Sequence, residues 1–178
     1  MVMGSVSASV VSHASCPVVV VREDNHVTDS TKYGPVVVGV DGSEVSQKAT
    51  AYAFREAQAR GAALIAVHTW MDMQVQASLA GLSAAQSEWA DIEKEQSELL
   101  TENLKEPREE YPEVEVKKLI TRDRPVSALT EAAEGAQLLV VGSHGRGGFK
   151  GMLLGSTSRA LLQSAPCPMM VVRPDEES

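Results

Sequence analysis

The sequence predicts an α/β fold, doubly wound around a five-stranded parallel sheet. Three observations carry this. Short strand-like runs alternate with helical stretches along residues 35–173, the first of them, Val36 to Val40, is a continuous β-branched run rather than an alternating one, and glycine-rich loops follow two of them. A chain of 178 residues with 43% apolar content is long enough to bury one substantial core.

The elements follow in order. Val36-Val37-Val38-Gly39-Val40 reads as a strand covered on both faces. Ser43 or Ser46 can cap a helix from about Ser46 to Arg60, with Ala49, Ala53, Phe54 and Ala57 on one face and Gly61 as the stop. Ala63 to Thr69 is the second strand. After a longer loop, Ser83 with Gln86 resembles a capping box that opens a helix from Ala84 to about Glu110. Its glutamates from Glu88 to Glu110 form the wet face, opposite Trp89, Ile92, Leu99, Leu100 and Leu104.

Val114 to Ile120 is the third strand. Pro125 suits a helix first turn, and that helix runs to about Glu134, with Gly135 closing it in a left-handed conformation. Leu138 to Val141 is the fourth strand. A helix from Ser156 to Ser164 stops before Pro166, and Met169 to Val172 is the fifth strand. Parallel neighbours need right-handed crossovers, so flavodoxin-like and related Rossmann-like strand orders are the candidates.

The front of the chain repeats its end. Gly4-Ser5-Val6-Ser7 through Cys16-Pro17 to Val21-Arg22 returns as Gly155-Ser156-Thr157-Ser158 through Cys167-Pro168 to Val172-Arg173, at a constant offset of 151 residues. Residues 1–22 therefore read as the last helix and strand of a preceding unit, 23–34 as a polar linker, 35–173 as a complete unit and 174–178 as a tail. The expectation is a tandem protein lacking most of its first unit. Its leftover strand, Cys16 to Arg22, is expected to pair antiparallel with a last strand, within the chain or across a dimer.

Composition excludes several function classes. The formal net charge of −8 offers no basic footprint for nucleic acid. No apolar run approaches the roughly 20 residues of a membrane span, and no signal-peptide pattern opens the chain, so a cytoplasmic protein with no membrane partner is expected. Cys16 and Cys167 form no CxxC pair and read as small buried residues; His13, His26, His68 and His144 show no metal-ligand spacing.

The chemistry gathers in two loops. In an open parallel sheet ligands bind beyond the carboxyl ends of the strands, where the strand order reverses. With the five strands ordered 3-2-1-4-5, that crevice brings Gly39-Val40-Asp41-Gly42-Ser43 opposite Gly142-Ser143-His144-Gly145-Arg146-Gly147-Gly148. Such glycines let backbone N–H groups approach an anion, and Gly155-Ser156-Thr157 presents a helix N-terminus, which favours phosphate. The loop is neither a Walker A nor a dinucleotide fingerprint, since Lys150 stands where a third glycine belongs. Taken singly, Asp41 can also cap the helix after the first strand, a role compatible with ligand binding, Arg146 and Lys150 can be solvated charge, and His68 and His144 read as packing or loop residues.

The spacing Gly142-x2-Gly145-x9-Gly155-Ser156, together with Val38 to Ser43 and Cys167-Pro168, resembles the ATP-binding branch of the universal stress protein family. That resemblance implies a Rossmann-like sheet of the adenine nucleotide alpha hydrolase kind in the order 3-2-1-4-5. It implies a site in which Asp41 meets ribose hydroxyls, Gly39 and Val40 lie beside adenine, and His68 and Thr69 contact the base. Val141, Gly142, Ser143, His144, Gly145 and Arg146 wrap the ribose and phosphates; Gly155, Ser156, Thr157 and Ser158 hold the outer phosphates. The implied role is an ATP-binding stress-response regulator, with Mg2+ accompanying the ATP and a homodimer formed through the last strand. No residue is assigned to catalysis, because no general base stands beside the cradle; a slow ATP hydrolase and a structural pairing module are the competing readings.

Overall fold

The computed structural model describes residues 5–22, 25, 34–70, 86–146 and 153–174. Eleven elements are seen among them: α1 (Ser5–His13), β1 (Val18–Val20), β2 (Val36–Gly39), α2 (Glu44–Arg60), β3 (Leu64–Thr69), α3 (Gln86–Glu110), β4 (Val116–Thr121), α4 (Pro125–Ala132), β5 (Leu138–Gly142), α5 (Ser156–Ser164) and β6 (Met169–Val172). The sheet order is β1-β6-β5-β2-β3-β4. Neighbours from β4 across to β6 are parallel, and they reproduce the predicted order. The sheet has six strands rather than five, because β1 adds to its edge antiparallel to β6.

Continuous apolar runs produce the layers. Successive side chains of a strand point to opposite faces, so Val36, Val38, Leu138, Val140, Met170 and Val172 pack on one face against Phe54 and Ala57 of α2 and Leu100 and Leu104 of α3. Val37, Val67, Leu139, Val141, Met169 and Val171 pack on the other, against Leu129 of α4, Leu161 of α5 and Val11 of α1. Both faces of the central strands are dry. Each large buried side chain such as Phe54 contributes on the order of 1.5–3 kcal/mol.

The helix ends show local chemistry. Ser43 caps α2 by accepting from the Ser46 N–H, and Gly61, at φ 61°, closes it in the left-handed region. Of the two expected caps Ser43 is the one used, and α2 accordingly starts at Glu44. Pro125 opens α4, but that helix ends at Ala132, two residues short of the expected stop; Gly135 takes its left-handed φ of 73° in the turn that follows. The β4 strand begins at Val116, since Val114 is spent in the turn after α3, its N–H bonded to Tyr111 O. The Ser83 side of the capping box lies outside the described residues.

At the sheet edge the repeat becomes geometry. Val18 pairs with Val171, Val19 with Met170 and Val20 with Met169. Under the offset of 151 residues Val18 corresponds to Met169 and Val20 to Val171, so the ladder is two-fold symmetric about the Val19–Met170 pair. The flanking arginines reciprocate: Arg22 donates to Gln163 O at the end of α5, and Arg173 to Ala14 O beyond α1 (3.1 Å). A cation at a helix C-terminus satisfies carbonyls left over by the helix. Cys167 is buried as expected, but Cys16 is exposed, because the outer side of β1 lacks the cover that β5 gives β6.

Candidate functional site

The order of the sheet reverses between β2 and β5: the chain steps one way from β2 to β3 and β4, and the other way from β5 to β6. The loops leaving these two strands meet there. Asp41 joins them. Its N–H donates to Ser46 Oγ (3.0 Å), its Oδ1 accepts from Ser43 N–H (2.9 Å), and its Oδ2 accepts from the backbone N–H of Arg146 (3.2 Å). One carboxylate thus shapes its own turn and clasps the opposite loop.

These loops approach each other most closely at glycines. A Cβ on Gly145 would collide with Asp41 Oδ2. Gly42, at φ 80°, lies under the Arg146 guanidinium, whose Nη2 would come within 2.6 Å of a Cβ. At the end of β5, a Cβ on Gly142 would stand 3.0 Å from Val45 Cγ1 and 3.2 Å from His144 O.

A second set of bonds ties the β5 loop to α5. Ser143 donates its N–H to Val172 O (2.7 Å) and accepts at its carbonyl from Gly155 N–H (2.7 Å). Its fully buried hydroxyl meets His144 Nδ1 at 3.0 Å. Ser158 donates to Gly142 O (2.7 Å). By contrast the N-terminus of α5 begins at Gly155 with no side-chain cap, so the donors of its first turn are open to an anion.

The expected residues therefore divide by what they can offer. Asp41, Gly142, Ser143, His144, Gly145 and Arg146 are brought together with Gly155, and Ser156 and Thr157 start the adjoining helix. Gly39 ends β2 against Leu129. Val40 and Val141 are buried, so only their backbone is available. The Ser158 hydroxyl is buried and donates to Gly142 O, so of this residue only the backbone N–H, in the first turn of α5, is left to meet a phosphate. The His68 ring is buried, with its two nitrogens at Val40 O (2.6 Å) and Gln96 Oε1 (2.9 Å). Thr69 ends β3, one strand from β2, paired with Thr121. Gly147, Gly148 and Lys150 lie outside the described residues.

Ser46 is a residue that sequence reasoning underused. The sequence offers it as a helix cap, yet its hydroxyl, buried at the start of α2, receives Asp41 N–H and reaches Gly39 O (3.5 Å). A serine three residues after a capping serine, beside an aspartate, is the signal that marks it. Among the described residues no group of three or more His, Cys, Asp and Glu is placed to hold a metal ion, and no helix is long and apolar enough to cross a membrane.

The universal stress protein family profile matches residues 32–173. A universal stress protein of Mycobacterium tuberculosis strain H37Rv is 47% identical over 171 residues, covering 96% of this chain and 56% of the relative. The chain spans little more than half the length of the curated relatives it matches. Among solved structures, UspA from Lactobacillus plantarum superposes with a TM-score of 0.64 at 23% identity, covering 79% of this chain and 98% of that one, a likeness of fold. A universal stress protein in complex with cAMP superposes with a TM-score of 0.54 at 27% identity, over 79% of this chain and 96% of that one. By the extent of the profile match and by its near-complete alignment with the mycobacterial relative, this chain belongs to the universal stress protein family.

Proposed function

We propose that this chain binds ATP in the crevice between β2 and β5, and that it serves as a non-catalytic, nucleotide-dependent regulator of stress response in the cytoplasm. The observation that carries the reading is the clasp of Asp41 on the loop of the glycine signature, with the uncapped start of α5 beside that loop. The residues fit the group. Two backbone N–H groups occupy only part of the acceptor capacity of Asp41, leaving lone pairs for ribose hydroxyls. The open donors of α5 suit phosphate, and Arg146 adds a cation above Gly42.

The cAMP bound by a member of the family supports an adenine nucleotide as the ligand class. Mg2+ would enter with the phosphates, since it keeps most of its waters and needs few protein ligands. Binding without turnover is proposed on the commitments of Asp41, Ser43, Ser46 and Ser158 to backbone groups and of the Ser143 hydroxyl to His144. We read residues 1–22 as the end of a preceding unit, supported by the repeat and by an alignment that takes in 96% of this chain but 56% of a longer relative.

The test is the small molecule released when freshly purified protein is denatured, followed by calorimetric ATP titration. ATP is expected in the released fraction. Asp41→Ala and Gly142→Val should each abolish measurable ATP binding, the second because its side chain would press on Val45 and His144. Unchanged affinity in both variants would sink the assignment.

A second element of the proposal is pairing through β6, supported by the symmetric β1–β6 ladder: two copies of β6 could meet as β1 and β6 do. A chain starting at Lys32 frees that edge and is expected to double its mass in light scattering. An unchanged mass and melting temperature would count against it.

A further inference from the structure

The β3 strand breaks its own pattern at His68. Leu64 and Ala66 belong to the apolar cluster under α2 and α3, and the next residue on that face is a histidine, only 2% exposed. A buried polar side chain costs stability unless its partners are built in. Both are present. Nδ1 lies 2.6 Å from Val40 O, and Nε2 lies 2.9 Å from Gln96 Oε1, with Gln96 itself buried on α3.

A carbonyl only accepts, so Nδ1 carries a proton toward Val40 O. The Gln96 amide can turn either its oxygen or its nitrogen to Nε2. The carbonyl so held is the one immediately before Asp41. The backbone pairing of β2 with β3 is registered as far as Gly39 and Val67, and the Val40 N–H donates to Val67 O (2.8 Å). His68 then takes the Val40 carbonyl, Ser46 takes the Asp41 N–H, and the carboxylate reaches Arg146 N–H. This makes one continuous line of hydrogen bonds from α3, through β3, to the clasp between the loops.

We propose that His68 and Gln96 are positioning residues: they fix the peptide that aims the Asp41 carboxylate, and they couple that peptide to the placement of α3. This rests on the nucleotide reading above and names which buried groups control the site. Coupling of this kind is reciprocal, so nucleotide at the clasp should in turn steady α3.

The full chain tests this with ATP as the probe and two readouts, calorimetric affinity and amide deuterium exchange. His68→Phe should weaken ATP binding about tenfold, the scale set by leaving buried polar groups without partners. It should speed exchange at the Asp41 amide while leaving Val38 and Ala66, in the middle of the ladder, as protected as before. His68→Asn carries an N–H at about the place of Nδ1 and should recover most of both losses, which a role confined to filling space does not predict. Gln96→Leu should weaken binding a few-fold, and ATP should slow exchange across residues 92–104 in the unaltered chain but not in this variant. Wild-type affinity with unchanged Asp41 protection in His68→Phe would overturn the proposal. So would equal loss in the Phe and Asn variants with protection falling throughout the sheet. If the unaltered chain binds no ATP, the nucleotide reading fails, and the relay stands or falls on Asp41 exchange alone.

Discussion

The α1–β1 segment and the α5–β6 segment are related by the offset of 151 residues and fold alike, yet they are buried differently. Val10 is 49% exposed where its counterpart Leu161 is fully buried, and Val21 is 65% exposed where Val172 is 1% exposed. Val11 and Leu162, which face inward in both, are buried alike. The difference lies in the neighbours. The β6 strand sits between β5 and β1 and beneath α2, whereas β1 has β6 alone beside it in the sheet. Residue type marks what can be buried; the surrounding elements decide what is.

The hardest test of this comparison puts a charge at equivalent positions. Val172→Asp strands a carboxylate in the core and should cost more than about 4 kcal/mol, enough to unfold a domain of ordinary stability. Val21→Asp should change stability by less than about 0.5 kcal/mol. Urea denaturation of both variants measures the contrast, and similar losses would mean that β1 is covered as fully as β6.

A middle-sized effect sharpens it on the polar side. Ser158→Ala removes the donor to Gly142 O and should cost about 1–3 kcal/mol. Ser7→Ala, at the exposed counterpart, should leave the urea midpoint where it was. A matching loss at Ser7 would place an unsuspected partner on α1.

The cysteines give the smallest effect. Burial pushes the Cys167 thiol up to about 11 from an ordinary 9.0, and Cys16 is exposed. Iodoacetamide should therefore modify Cys16 alone in the folded protein, as mass spectrometry would show. A raised thiol pKa means that the folded chain holds the proton more tightly than the unfolded chain. The resulting contribution is constant below pH 9 and declines as pH climbs from 9 toward 11. Replacing Cys167 by Ala should flatten that part of the stability curve.

Much of the fold was legible because short runs such as Val36 to Val40 and Leu138 to Val141, rich in valine and followed by glycine, suit strands dry on both faces, and the helices between them favour parallel order. The two loops of the site were legible for the same reason: glycines stand where strands end. What could not be read is direction. Nothing in Gly155-Ser156-Thr157-Ser158 says that the last hydroxyl turns inward to Gly142 O, and nothing near His68 says that its partners are a carbonyl 28 residues back and an amide 28 residues on. Those orientations depend on how closely α5 and α3 approach the sheet. Cys16 escaped for a related reason, since the same Cys-Pro-Val pattern is covered in one segment and bare in the other.

The symmetric ladder at the sheet edge also has a mechanical side. In it Val18, the first residue of β1, sits opposite Val171, next to the last residue of β6, so the chain enters β1 and leaves β6 at the same end of the seam. Tension between those two points would load the pairs one after another, as a zipper is opened, instead of shearing them together. The edge strand would peel away at low force, beginning at Val18, while the parallel strands behind it, joined by crossover helices, kept their grip.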